Sequence, residues 1–221
     1  MTCAATTLWA VSDTSGSDAA EHDHYFSATP ASADERRTIH VPLAGRTRSV
    51  QVARGVFSSE RIDQGTSVLL QHAPEPPASG TFLDLGCGWG PIALTLGLRS
   101  PEAHVWGVDV NERALDLARG NAASLDLSNV RAGRADEVPA DLHFDLIWSN
   151  PPIRVGKSVL HELLLAWLPR LTPDGVAYLV VQRNLGSDSL QRWLTEQGFP
   201  TERFTSVRGF RILRVRPRST D

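Results

Sequence analysis

Two short segments hold residue types that chemistry would need. The first is Asp84-Leu85-Gly86-Cys87-Gly88-Trp89-Gly90-Pro91. Three glycines at alternate positions let a backbone turn sharply and approach a ligand more closely than any side chain would allow. The pattern is G-x-G-x-G, not the dinucleotide G-x-G-x-x-G, and no Walker lysine follows, which argues against nucleoside triphosphate hydrolysis. About twenty residues further on, Val108-Asp109-Val110-Asn111 puts a carboxylate where it can accept both hydroxyls of a ribose. A third acid, in Arg134-Ala135-Asp136, is placed to receive an adenine amino group. Together these features describe an adenosine-bearing ligand without a pyrophosphate, and S-adenosylmethionine is the candidate. The competing reading makes Asp109, or Asn111, the N-cap of a helix over 112–125.

The second segment is Phe144-Asp145-Leu146-Ile147-Trp148-Ser149-Asn150-Pro151-Pro152-Ile153. Two prolines after a buried strand fix two φ angles near −65° and remove two amide donors. Their carbonyls and the Asn150 side-chain oxygen can then be held as acceptors aimed into a cleft. Methylation of a planar exocyclic amine needs this arrangement. The lone pair of such a nitrogen is delocalised into its ring, and acceptors gripping its hydrogens favour a pyramidal, nucleophilic geometry. A sulfonium is already a strong electrophile, so positioning and charge complementarity supply most of the acceleration. The competing reading is an Asx-type turn with a proline stop.

Something must carry both turns to one place. Apolar runs at 81–85, 105–110, 145–148 and 176–182 read as strands, and the last shows no alternation, as expected of a strand buried on both faces. Between them, Leu160, Leu164, Leu168 and Leu171 recur at helical spacing beside Val159, Leu163 and Trp167. Strand–helix alternation with short connections implies an α/β domain with a mainly parallel, doubly wound sheet, whose ligands gather at the carboxyl ends of its strands. The close differs: 201–207 and 210–215 read as two strands joined by Arg208-Gly209, an antiparallel C-terminal pair. Ahead of the domain, Thr38-Ile39-His40-Val41 and Ser49-Val50-Gln51-Val52 flank Ala44-Gly45-Arg46 as a β-hairpin, and 62–72 reads as a helix stopped by Pro74, Pro76 and Pro77. The expected organisation is a flexible leader over 1–23, a hairpin-and-helix extension over 24–77 and the catalytic domain over 78–221.

Composition narrows the function classes. With 221 residues, 41% of them apolar and 21% charged, the chain can bury a full core without staples and is neither fibrous nor wholly disordered. No apolar run approaches the ~20 residues that cross a bilayer, so no membrane role is expected. No basic cluster precedes an apolar stretch in the first eleven residues, which argues against a secretory signal. Two cysteines, Cys3 and Cys87, form no framework and fit a reducing cytoplasm. The net charge of −3 is uneven: residues 1–35 hold six acids and no Lys or Arg. Removing those six from the 25 acids leaves 22 basic against 19 acidic side chains, a body of net +3. Five arginines near the end, Arg208, Arg211, Arg214, Arg216 and Arg218, form either a phosphate-binding patch or a solvated strand face.

Taken with Asn150-Pro151-Pro152, the glycine turn resembles the class I S-adenosylmethionine-dependent methyltransferases that modify amino groups. More specifically, the sequence is similar to the small-domain methyltransferase family that includes the 16S ribosomal RNA guanine-N2 methyltransferases. The shared run includes His24-Tyr25-Phe26-Ser27, Gly55-Val56-Phe57-Ser58, Asp63-Gln64-Gly65-Thr66, Asp109-Val110-Asn111-Glu112-Arg113-Ala114, Asn150 through Lys157 and Val180-Val181-Gln182. It covers roughly residues 24–215. The resemblance implies a Rossmann-like fold that binds S-adenosyl-L-methionine and releases S-adenosyl-L-homocysteine. Expected cofactor contacts are Asp84, Gly86, Cys87, Gly88, Gly90, Asp109, Val110, Asp136 and Asn150. Asn150, Pro151 and Pro152 are expected to act on the amine, and Phe57, Ile153, Arg154 and Lys157 to touch substrate. RNA is the expected partner, as ribosomal RNA or the small ribosomal subunit.

Two departures from that family matter. The better-known ribosomal enzymes carry a second, degenerate N-terminal domain, and this chain matches only the catalytic half. Ile153 stands where many relatives place a Phe or Tyr to stack on the target base, so stacking must come from another ring such as Phe57 or Tyr25. Adenine-N6 or protein glutamine-amide methylation are alternatives that use the same turn, and a non-catalytic RNA-binding module is a third. The intact glycine turn and Asn150 speak against the last. By the resemblance, Asp63, Gly65 and Thr66 border the cofactor. Seven histidines show no metal-ligand spacing, so no metal is expected. Cys87 reads as a small packed side chain, Trp89 as either cavity wall or core, and the sequence leaves monomer and homodimer both open.

Overall fold

The computed structural model describes residues 35–218. The expected leader over 1–23 and Tyr25 lie outside the described residues. β1 (Arg36–Leu43) and β2 (Arg46–Ala53) pair antiparallel as the expected hairpin. Ala44 and Gly45 both take positive φ (47° and 79°), which matches the turn to the twist of the strands. Val41, Leu43, Val50 and Val52 alternate inward and are buried. α1 spans Gln64–His72, starting later than expected because Asp63 caps it, its carboxylate accepting from the amides of Gly65 and Thr66.

The body is a seven-stranded sheet. Its strands are β3 (Ser79–Leu85), β4 (Glu102–Val108), β5 (Val130–Gly133), β6 (Phe144–Ser149), β7 (Leu171–Gln182), β8 (Thr201–Val207) and β9 (Phe210–Val215). They lie in the order β5-β4-β3-β6-β7-β9-β8. The first five are parallel, while β9 runs antiparallel to both β7 and β8. This is the mainly parallel Rossmann-like sheet with an antiparallel C-terminal pair. Two helices that the sequence reading did not single out complete it, α2 (Pro91–Arg99) and α5 (Ser187–Glu196), beside α3 (Glu112–Ser124) and α4 (Lys157–Trp167).

Alternate residues of the central strands serve two cores. Phe82, Trp148, Val180 and Ile212 pack with α1, α2, α3 and the hairpin, whereas Leu83, Ile147, Leu179 and Leu213 pack with α4 and α5. The described part of the N-terminal extension therefore shares a core with the sheet. Asn121 secures it: buried in α3, it accepts from the Gln51 amide (2.7 Å) and donates to the carbonyls of Gln51 and Trp89 (both 3.0 Å). Strand order reverses between β3 and β6, which opens a crevice at their carboxyl ends. No helix among the described residues is long and apolar enough to cross a membrane.

Candidate active site

A cavity of about 370 Å³ occupies that crevice. Its floor is the glycine turn. The amides of Gly86 and Cys87 both donate to the Val108 carbonyl (2.8 and 3.0 Å), ending β4 at Val108 and releasing Asp109 from the strand. Asp109 spans the turn, Oδ2 accepting from the Gly88 amide (2.8 Å) and Oδ1 from the Asn111 amide (3.0 Å). Asn111 fills the N-cap of α3, so Asp109 is not that cap. Gly86 and Gly88 hold positive φ (80° and 53°), and a Cβ at either would meet no atom within 4 Å. Both line the cavity, so the space a side chain would take is left to a ligand.

Beneath the floor, Asp84 is fully buried and does not line the cavity. Its Oδ2 accepts from the Ala93 amide (2.9 Å) in the first turn of α2, and Oδ1 has no partner among the described residues. Burial pushes its carboxyl up to about 8, with the Asp109 charge adding to the effect and the Ala93 hydrogen bond opposing it. Burial also raises the Asp109 carboxyl, against three backbone hydrogen bonds that lower it. The Cys87 thiol is raised well above its ordinary value by burial, which suits a packed side chain and not a nucleophile. Its Sγ lies 3.2 Å from where a Gly107 Cβ would stand.

The sequence-read cofactor set therefore divides. Gly86, Gly88, Asp109, Val110 and Asn150 line the cavity, as do Pro151, Pro152, Ile153 and Phe57. Asp84, Cys87 and Gly90 lie behind the wall and shape the turn; Gly90 caps α2, with φ of 97°. Asp136 is not brought in: it sits exposed on a 3-10 turn after β5, 3.3 Å from Arg134. Lys157 is exposed at the start of α4 and does not line the cavity either. The Arg154 side chain lies outside the described residues. Trp89 is core, 1% exposed, with Nε1 donating to the Ser58 carbonyl (3.2 Å). Among the described residues no cluster of three His, Cys, Asp or Glu can hold a metal ion.

The terminal arginines are largely occupied, contrary to a free phosphate-binding patch. Arg211 pairs with Asp188 and Arg214 with Glu202. Arg216 reaches the Asp174 carbonyl at 3.5 Å, and Arg218 stacks over Phe199 at 4.6 Å. Arg208, exposed at the β8–β9 turn, has no such partner among the described residues.

The Asn150-Pro151-Pro152 turn, the reactive turn of the sequence reading, forms the opposite wall. Asn150 Nδ2 donates to Asp63 Oδ2 (2.8 Å) and to Thr66 Oγ1 (3.1 Å). A carboxylate only accepts, so the end of the carboxamide that meets Asp63 is the nitrogen and not the oxygen. No donor among the described residues takes Asn150 Oδ1. The proline carbonyls are less open than expected: Pro151 accepts from the Ile153 amide (2.8 Å) and Pro152 from the Val155 amide (3.3 Å), leaving each one lone pair.

Sequence reasoning missed three contributions. Phe210, at the start of β9, supplies a second aromatic ring to the cavity beside Phe57, and Leu185 lines it after β7. Asn111 Nδ2 (2.8 Å) and Arg113 Nη1 (2.8 Å) donate to the carbonyls of Gly55 and Arg54, pinning a strap whose Val56 and Phe57 line the cavity. Asp63 and Thr66 reach the reactive turn itself. The Gly55–Thr66 and Asp109–Ala114 motifs signalled the last two, but they carried no geometry.

These residues fit S-adenosylmethionine. The bare glycine edge admits close backbone approach, Asp109 keeps lone pairs for ribose hydroxyls, and the walls are mainly apolar.

Comparison with known proteins agrees. The family model "Methyltransferase small domain" matches residues 47–214. The chain is 30% identical over 197 residues to YbxB of Bacillus subtilis, described as uncharacterized, covering 88% of this chain and 98% of that one. It is 34% identical over 148 residues to ribosomal RNA small subunit methyltransferase C of Pseudomonas entomophila, covering 63% of this chain but only 44% of that protein. The chain thus spans less than half the length of that ribosomal relative. A solved 16S rRNA N2 methyltransferase of T. thermophilus, in complex with AdoMet and guanosine, shares the fold with a TM-score of 0.72 at 23% identity, over 86% of this chain and 52% of that one.

Proposed function

This chain belongs to the methyltransferase small domain family, and from that premise we propose that it methylates an exocyclic amine of RNA, guanine N2 in 16S (small-subunit) ribosomal RNA. It is an S-adenosylmethionine-dependent methyltransferase. The cofactor supplies, when bound, a sulfonium methyl electrophilic enough that no strong base is needed at the amine. The protein's part is to bind, orient and polarise. Asp109 offers its remaining lone pairs to the ribose hydroxyls, while Gly86 and Gly88 let the backbone close on the ligand. Asn150 Oδ1 accepts one N–H of the target amine, and the free lone pair of the Pro151 carbonyl is available for the other. Together they draw the nitrogen toward a pyramidal shape. Ile153 offers no ring, so Phe57 and Phe210 are the stacking surfaces for the base. Arg154, Lys157 and Arg208 supply positive charge for RNA phosphates, and the site of action is the cytoplasm.

The observation that carries this reading is the clamped Asn150 carboxamide, whose acceptor oxygen is left without a donor beside the cavity. The test uses ribosomal RNA from cells lacking the gene, incubated with the full chain and methyl-labelled cofactor, then digested to nucleosides. Label in N2-methylguanosine of small-subunit RNA is expected. Label in N6-methyladenosine, in large-subunit RNA or in protein glutamine would replace the substrate assignment.

A further inference from the structure

We infer that Asp63 and Thr66 of the N-terminal extension are positioning residues for methyl transfer, fixing which end of the Asn150 carboxamide faces the substrate. The inference rests on the reading of Asn150 as the amine acceptor. A carboxamide has nearly the same shape in its two flipped orientations, but they present opposite chemistry. With the oxygen toward the cavity it accepts an amine hydrogen. With the nitrogen there it would set donor against donor and repel the substrate. Nothing within the Asn150-Pro151-Pro152 turn selects between the two.

The selection comes from 87 residues away in the chain. Asp63 Oδ2 gathers three donors: the Gly65 amide (2.7 Å), the Thr66 amide (3.3 Å) and Asn150 Nδ2 (2.8 Å). The first two cap α1, and the third locks the carboxamide. Thr66 Oγ1, on a side chain only 4% exposed, takes the same Nδ2 at 3.1 Å. Gly65 makes the approach possible. A Cβ there would stand 3.0 Å from Asp63 Oδ2, 3.2 Å from Asn150 Oδ1 and 3.1 Å from Phe210 Cε1, tighter than ordinary packing on all three. One short helix start thus combines a side-chain carboxyl acceptor, a hydroxyl acceptor and a missing side chain around a single amide.

The variants separate this role from capping. Asp63→Ser keeps a good N-cap but is too short to reach Asn150. Thr66→Val keeps the shape and loses the acceptor, and Thr66→Ser restores it. In single-turnover methyl transfer at saturating cofactor, Asp63→Ser should lose about 10- to 100-fold in rate. Thr66→Val should lose less, and Thr66→Ser should recover the wild-type rate. In an Asn150→Ala background Asp63→Ser should cost nothing further; an equal additional loss there would overturn the inference. A second readout needs no substrate: hydrogen exchange at the Asn150 side-chain amide should be slowed in the wild type and fast in Asp63→Ser. If the wild type transfers no methyl to RNA, the substrate reading fails and this exchange alone decides the positioning role. Fast exchange in both proteins would sink it.

Discussion

The glycine turn and the reactive turn face each other across one cavity, yet they are held in opposite ways. The glycine turn is tied to elements adjacent to it in the sheet: Val108 and Asp109 of the neighbouring strand end grip its amides, and Asp84 anchors the helix that follows. The reactive turn is held by its own carbonyls and, at its key side chain, by Asp63 and Thr66 from the N-terminal extension. A binding surface can be built from local backbone geometry, whereas an acceptor that must point one way needs an outside reference. The described part of the extension shares the sheet's core, which makes that reference rigid.

The sharpest break of this comparison is Asn150→Ala. Methyl transfer should fall by about two orders of magnitude or more, as when one preorganised polar contact is lost. Cofactor affinity should stay near wild type, because the glycine turn is untouched. Asp109→Ala should do the reverse. Losing two charge-assisted hydrogen bonds to the ribose should weaken cofactor binding by about 2–4 kcal/mol, read by calorimetry on the folded variant.

A smaller effect isolates the buried side of the glycine turn. The folded protein holds the Asp84 proton up to about pH 8, whereas the unfolded chain releases it near 3.8. Between those values the native state binds more protons, so this group makes stability fall as pH rises, by at most about 1.4 kcal/mol per pH unit. The raised Asp109 carboxyl acts in the same direction. Asp84→Asn should flatten the Tm-against-pH curve between pH 5 and 8. An unchanged curve would mean that Asp84 is ionised in the fold.

The smallest effect concerns exposed basic side chains. RNA affinity should fall with salt by ~0.7 log units per phosphate contact and log unit of salt. Lys157→Ala and Arg208→Ala should each flatten that slope. Arg214→Ala should leave it alone, because its guanidinium is paired with Glu202.

The same contrast explains what could be read in advance. Unbroken apolar runs such as Val176-Ala177-Tyr178-Leu179-Val180-Val181 announce a strand buried on both faces, and the glycine turn announces a backbone cradle. Both are local patterns. Pro91–Arg99 and Ser187–Glu196 show no comparable local pattern: the first buries six of its nine residues, nearly all round, and the second only Ser187, Leu190 and Leu194. Asp136 looked like a third strand-end acid, but spacing cannot foresee that the chain turns there and leaves it beside Arg134. Sequence leaves a phosphate-binding patch and a solvated strand face both open for Arg211 and Arg214, because their partners Asp188 and Glu202 lie on other elements. Asp63 is legible only as part of a motif, since its partner Asn150 lies 87 residues away in the chain.

The division of labour between the two turns is tested most directly by single-turnover methyl transfer to ribosomal RNA, with the rate titrated against cofactor concentration. For Asn150→Ala the plateau should drop by about two orders of magnitude or more while the half-saturation point stays put. For Asp109→Ala the half-saturation point should rise while the plateau is largely kept. If Asn150→Ala reaches the wild-type plateau, the Asn-Pro-Pro turn is a structural strand stop and the mechanism is wrong.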